Sequence, residues 1–168
     1  GEQLTQTADP ISAAALDARL DYLFNDDNHS HLSAEGILAS GDPDRSEAGD
    51  SLGSTTSAFG GNKPHTTDHS FNSFGMLNTG LAFAPNVSNL MMLRGGASTF
   101  PLPSTKHFNR LQIGIDLLLF GKFNSNAPID QPTTKGSYLG FEPDIYANWQ
   151  ISSDVTLAVR YGIFFPGD

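Results

Sequence analysis

The chain has no cysteine, and this removes a disulfide framework and thiolate metal sites at once. It has little positive charge: 9 Lys and Arg stand against 18 Asp and Glu, a formal net charge of -9. Phosphate binding needs a basic face, so nucleic acid is excluded as the expected partner. No apolar run approaches the ~18 residues that a membrane helix needs. No glycine-rich phosphate loop or dinucleotide fingerprint occurs either. Gly1 opens directly into polar residues, with no signal peptide and no initiator Met. The expectation is a mature product or an excised fragment of 168 residues, long enough for one domain with a core.

What the sequence does have is alternation with a period of two. Leu111, Ile113, Ile115, Leu117 and Leu119 alternate with Arg110, Gln112, Gly114 and Asp116. Phe141, Ile145, Ala147, Trp149 and Ile151 alternate with Glu142, Asp144, Tyr146, Asn148 and Gln150. Val155, Leu157, Val159, Tyr161 and Ile163 alternate with Thr156, Ala158, Arg160 and Gly162. Successive side chains of a strand point to opposite faces, so each segment has one apolar face and one polar, charged face.

Organisation follows from this pattern. Residues 1–10 read as a flexible lead-in. Residues 11–24 fit a strand and a helix about equally, and the turn chemistry of Asn25-Asp26-Asp27-Asn28 favours the strand. A second alternating run carries Leu32, Ala34, Gly36 and Leu38. Residues 41–87 form a long loop rich in Gly, Ser, Thr, Asp and Asn, with 76–83 placed inside it. Further strands are expected over 88–100, 107–120, 138–151 and 155–165. Residues 11–168 therefore read as an antiparallel segment of about six strands. Their connections run short, long, short, medium, short, so the short turns share one side and the longer loops the other. An outer-membrane barrel has this asymmetry.

Charge placement points the same way. All four Lys lie in turns or loops, while Arg19, Arg94, Arg110 and Arg160 fall within predicted strands. Arg19, Arg110 and Arg160 share the polar parity with Asp17, Asp21, Glu35, Asp116, Glu142 and Asp144. A basic side chain on the lipid face at mid-membrane costs about 2–4 kcal/mol, and the clean strands place none there. Phe24 and Trp149 sit beside short turns on the apolar parity, where an aromatic girdle belongs. The competing reading is a solvated sheet face with cross-strand ion pairs.

Several motifs resemble one family. The strand end Ile37-Leu38-Ala39-Ser40-Gly41-Asp42, the step Phe74-Gly75, the block Leu139-Gly140-Phe141-Glu142-Pro143-Asp144 and the ending Gly162-Ile163-Phe164-Phe165-Pro166-Gly167 resemble the C-terminal part of the alginate-export family. Those proteins are Gram-negative outer-membrane β-barrels, and the resemblance covers residues 13–168. It implies an all-β, antiparallel up-and-down β-barrel, or part of one, in the outer membrane. It also implies a porin-like, non-enzymatic channel for passive, charge-guided export of an anionic polysaccharide or similar solute. The pore-lining residues it implies are Arg19, Arg94, Arg110, Arg160, Asp116, Glu142 and Asp144. Family members are longer, so the expected partners are outer-membrane lipid and either missing N-terminal barrel strands or another copy of the chain. Pro143, which lacks an N–H, marks an edge position or a bulge.

Other chemistry weighs less. Gly49-Asp50-Ser51-Leu52 spells a lipase and esterase signature, but no apolar strand delivers Ser51 as a nucleophile. His65 and His69 have helical metal-ligand spacing, but Pro64 argues against a helix. The acidic stretch 42–50 offers carboxylates to Ca²⁺ without EF-hand spacing, and no other cofactor is expected. The alternative function is a soluble all-β carbohydrate-binding or interaction module without catalysis.

Overall fold

A computed structural model describes residues 10–46, 61–62, 65–72, 74–129 and 136–167. The lead-in 1–9, most of 47–64 including Ser51, and 130–135 lie outside the described residues. The chain is all-β. Six long strands form one antiparallel meander: β1 (Ala15–Leu23), β2 (His31–Ala39), β5 (Leu90–Thr99), β6 (Leu111–Lys122), β7 (Tyr138–Gln150) and β8 (Thr156–Gly162). A seventh, β9 (Phe165–Pro166), also pairs with β7. Two-residue strands β3 (Arg45–Ser46) and β4 (Gly61–Asn62) form a separate ribbon inside the long connection.

The ambiguous segment is a strand, because β1 pairs with β2 along its whole length from Ala15↔Ala39 to Leu23↔His31. The turn that joins them is fastened by Asp26, whose carboxylate accepts the Ser30 N–H at 2.8 Å. The Ser30 hydroxyl, then its N–H, hold that carboxyl below the usual carboxylate range. Segment 76–83 is irregular, as expected. Connections 24–30, 100–110 and 151–155 share one end of the sheet, and 40–89 and 123–137 share the other.

The six long strands agree with the expected antiparallel up-and-down segment, and the sheet does not close: β1 and β8 are its edges, and among the described residues neither has a further strand partner. One expectation changes. The strand expected from 107 begins at Leu111, because 107–110 belong to the turn, where Leu111 N–H bonds the Phe108 carbonyl at 3.0 Å. Arg110 is therefore a turn residue at the short-turn end.

Pro143 is explained by the break in the outermost strand. β8 pairs with β7 at 144–150 and β9 pairs at 140–141, leaving Pro143 between them. Its carbonyl accepts Ile163 N–H at 3.3 Å, so its missing N–H points toward the same interruption.

The register keeps one parity on one face across every long strand. Leu38, Met91, Gly121, and then Gly36, Leu93, Leu119 and Phe141, stand in rows. Below them run Leu20, Ala34, Gly95, Leu117 and Pro143, then Leu32, Ala97, Ile115, Ile145 and Tyr161. This face carries no charged residue, and it is uncovered: Leu93 is 64% exposed in the middle of the sheet.

The opposite face has two zones. At its long-loop end it is mainly apolar, where Ile37, Ala39, Leu90, Met92, Leu118 and Phe120 are buried under Val87, Phe71, Leu77, Phe83 and Phe164, with Lys122 and Glu142 buried beside them. Phe83 stacks on Phe164 at 4.3 Å and meets Phe120 edge-on at 5.2 Å. Toward the short-turn end the same face is polar.

Candidate functional site: a polar hollow beneath a pinned loop

The polar zone of the inner face forms a hollow of about 280 Å³. All six long strands contribute to its wall: Arg19, Ser33, Arg94, Asp116, Asp144 and Arg160 come from β1, β2, β5, β6, β7 and β8 in turn. Gln112, Tyr146 and Asn148 extend it toward the short turns, and Asn78 and Leu81 of the long loop roof it. Alternation explains the wall, since every second residue of each strand points inward.

Register decides which charges meet. One row reads Arg19, Glu35, Arg94, Leu118, Glu142. Arg94 Nη1 bonds Glu35 Oε2 at 2.7 Å, with the two side chains only 10% and 9% exposed. Its Nη2 also donates to the Asn78 carbonyl, tying the loop to β5. Arg19 turns instead along its own strand, with Nε 2.9 Å from Asp21 Oδ2. Asp21 also meets His31 Nε2 at 2.8 Å.

The next row places Asp116 directly across from Asp144. Opposed like charges destabilise a sheet unless they separate. Here they lean apart over glycines. A Cβ on Gly96 would lie 2.4 Å from Asp116 Oδ1, and one on Gly162 would lie 2.2 Å from Asp144 Oδ1. Asp144 Oδ1 is buried with no hydrogen-bond partner among the described residues.

Glu142 has a different role from its neighbours. It is fully buried. Its Oε1 accepts the N–H groups of Leu81 at 2.6 Å and Ala82 at 2.7 Å, and its Oε2 accepts that of Phe83 at 2.8 Å. Three successive backbone N–H groups make an anion-binding concavity, and a side chain of the sheet fills it. Gly80 permits this approach, because its φ is +132° and a Cβ there would come within 2.9 Å of Glu142 Oε1. Thr79 Oγ1 closes the loop on itself through the Pro85 carbonyl at 2.7 Å.

Of the residues expected to line a pore, Arg19, Arg94, Arg160, Asp116 and Asp144 share the hollow. Glu142 lies on the same face but under the loop. Arg110 is not among them: it is an exposed residue of turn 100–110, and its carbonyl accepts Gln150 N–H at 3.3 Å. Periodicity did not single out the loop residues Asn78 and 81–83. Asn78-Thr79-Gly80 signals a turn but not what the turn rests on.

The other candidates resolve locally. Asp42, from the acidic stretch, is buried with Oδ1 on Asp44 N–H at 2.7 Å and Oδ2 on His69 N–H at 2.8 Å. His69 Nδ1 donates to the Ser12 carbonyl at 2.9 Å. Among the described residues no group of three or more His, Asp or Glu gathers as a metal site. Residues 47–50 and Ser51 lie outside the described residues.

Aromatic side chains cluster at both ends of the apolar face. Trp149 stacks on Phe108 at 4.9 Å and donates its Nε1–H to the His107 carbonyl at 2.9 Å. Tyr22 and Phe24 meet edge-on at 4.8 Å near the same end. At the other end Phe141 stacks on Phe165 at 6.4 Å. No protein-family model, curated protein or solved structure matches the chain.

Proposed function

We propose that this sheet is part of an outer-membrane, porin-like β-barrel that passes an anionic polysaccharide or similar hydrophilic solute by passive, charge-guided diffusion. The observation that carries this reading is the unbroken apolar face. Six strands present it without one charge, and Leu93, Leu117, Leu119, Ile145 and Val159 on it are each at least 45% exposed. A water-soluble domain rarely leaves so large a contiguous patch bare, whereas hydrocarbon needs it. The aromatic clusters fit the two membrane interfaces. Phe141 and Trp149 are eight residues apart on β7, about 26 Å of strand. A tilt of about 40° reduces that to about 20 Å of height, within reach of the ~25 Å apolar band that such girdles flank.

The polar face supplies the wet side. Arg19 and Arg160 offer attraction to carboxylates, while Arg94 is neutralised by Glu35, and Asp116 and Asp144 keep that attraction weak enough for release. Six long strands are fewer than the 8 of the smallest bacterial barrels, so the open edges of β1 and β8 need further strands for closure. The purified chain is expected to need detergent to stay dispersed and, once copies pair along these open edges, to give stepwise conductance in planar lipid bilayers. A monomer that stays dispersed without detergent and gives no conductance overturns the reading.

A further inference from the structure

We propose that Glu142 is a positioning residue that sets the aperture: it holds the loop 78–83 down across the inner face, and solute passes the loop rather than Glu142. This rests on the channel reading above. The sequence pattern groups Glu142 with the solute-facing acids, but its geometry does not. Glu142 is fully buried, and both its oxygens are engaged by the three consecutive N–H groups of Leu81, Ala82 and Phe83. A solute therefore meets the far side of those residues, not the carboxylate.

Three other contacts seat the same loop. Arg94, itself locked to Glu35, donates to the Asn78 carbonyl. Phe83 lies between Phe120 of β6 and Phe164 beyond β8. Thr79 bonds the Pro85 carbonyl, which closes the loop on itself. Glu142 accepts three of the loop's hydrogen bonds to the strands, against the one that Arg94 donates. The loop roofs a hollow of about 280 Å³ on the inner face.

The test reads the loop and the passage separately. Amide hydrogen exchange at Leu81, Ala82 and Phe83 is measured in the full chain in lipid, beside unitary conductance in bilayers. In the unsubstituted chain these three amides are expected to be protected. Glu142→Ala is expected to speed their exchange at least tenfold and raise the conductance, with the β6 amides of Ile113 and Ile115 unchanged as a fold control. Gly80→Ala releases the loop without touching a strand, so it guards against a Glu142 variant that fails to fold. It is expected to reproduce both effects, and Glu142→Gln, which keeps one acceptor oxygen, is expected to fall between. Equal exchange at the three amides with and without Glu142 overturns the anchoring. Faster exchange with unchanged conductance overturns the aperture role. Faster exchange with no conductance in any variant overturns the channel reading and the aperture with it, while the anchoring of the loop stands.

Discussion

At the scale of single residues, two buried side chains do the work of absent secondary structure. Glu142 is one and Asn89 is the other. Asn89 adopts a positive φ of 50°, a conformation that Asn tolerates better than most residues. Its Nδ2 reaches the carbonyls of Asn124, Ala127 and Pro128 at 3.0, 2.8 and 3.2 Å, and its Oδ1 accepts Asn124 N–H at 2.7 Å. Its own N–H bonds the Ser40 carbonyl at 3.1 Å, so the two connections 40–89 and 123–137 meet on one residue. Gly41 makes room for it, since a Cβ there would sit 2.3 Å from Asn89 Cγ. Asn89→Ala leaves buried carbonyls unpaired and strains the backbone, at a cost of about 2–4 kcal/mol. Urea unfolding in lipid vesicles is expected to register that loss in the midpoint; an unchanged midpoint would show that the two connections are held elsewhere.

At the scale of elements, the two faces of each strand make opposite predictions. Leu117 lies in mid-sheet on the apolar face, between Gly95 and Pro143. Leu117→Arg is expected to destabilise the folded state in lipid by about 2–4 kcal/mol, and Gln112→Arg on the polar face to change it little. The same unfolding experiment compares them, and indifference to both substitutions would place Leu117 in water. The strands themselves were legible because period two needs only nearest neighbours. Arg110 was misplaced because strand ends are set by turn hydrogen bonds such as Leu111 to Phe108, which alternation does not encode. The inner apolar zone was less legible because reading one parity hid the other. Leu117-Leu118-Leu119-Phe120 and Leu90-Met91-Met92-Leu93 are apolar on both faces, and that doubling marks where an outer surface and an inner core coincide. The pinning of the loop left no local trace, because Glu142 meets N–H groups 59 to 61 residues away.

At the scale of the whole molecule, the single Trp reports orientation. Trp149 sits at the short-turn end of the apolar face with its indole N–H engaged, a polar handle on an apolar ring that suits a membrane interface. Lipids brominated near the headgroup are expected to quench its fluorescence more than lipids brominated near the chain ends. Equal quenching, or none, would remove the girdle assignment. Strand count and closure belong to this scale too, and alternation within a strand is silent on both.

The two zones of the inner face give the sheet a direction. Beneath the long loop, side chains pack to exclude water, with Phe83, Phe120 and Phe164 in mutual contact. Beyond Arg94 and Glu35 the wall turns polar and continues so to Gln112 and Asn148. With the loop seated, the polar face is a trough, open along the β1 and β8 edges, that runs to the loop from the short-turn end. A molecule arriving from that side meets arginines and aspartates before it meets any obstruction. One arriving from the other side meets the obstruction first.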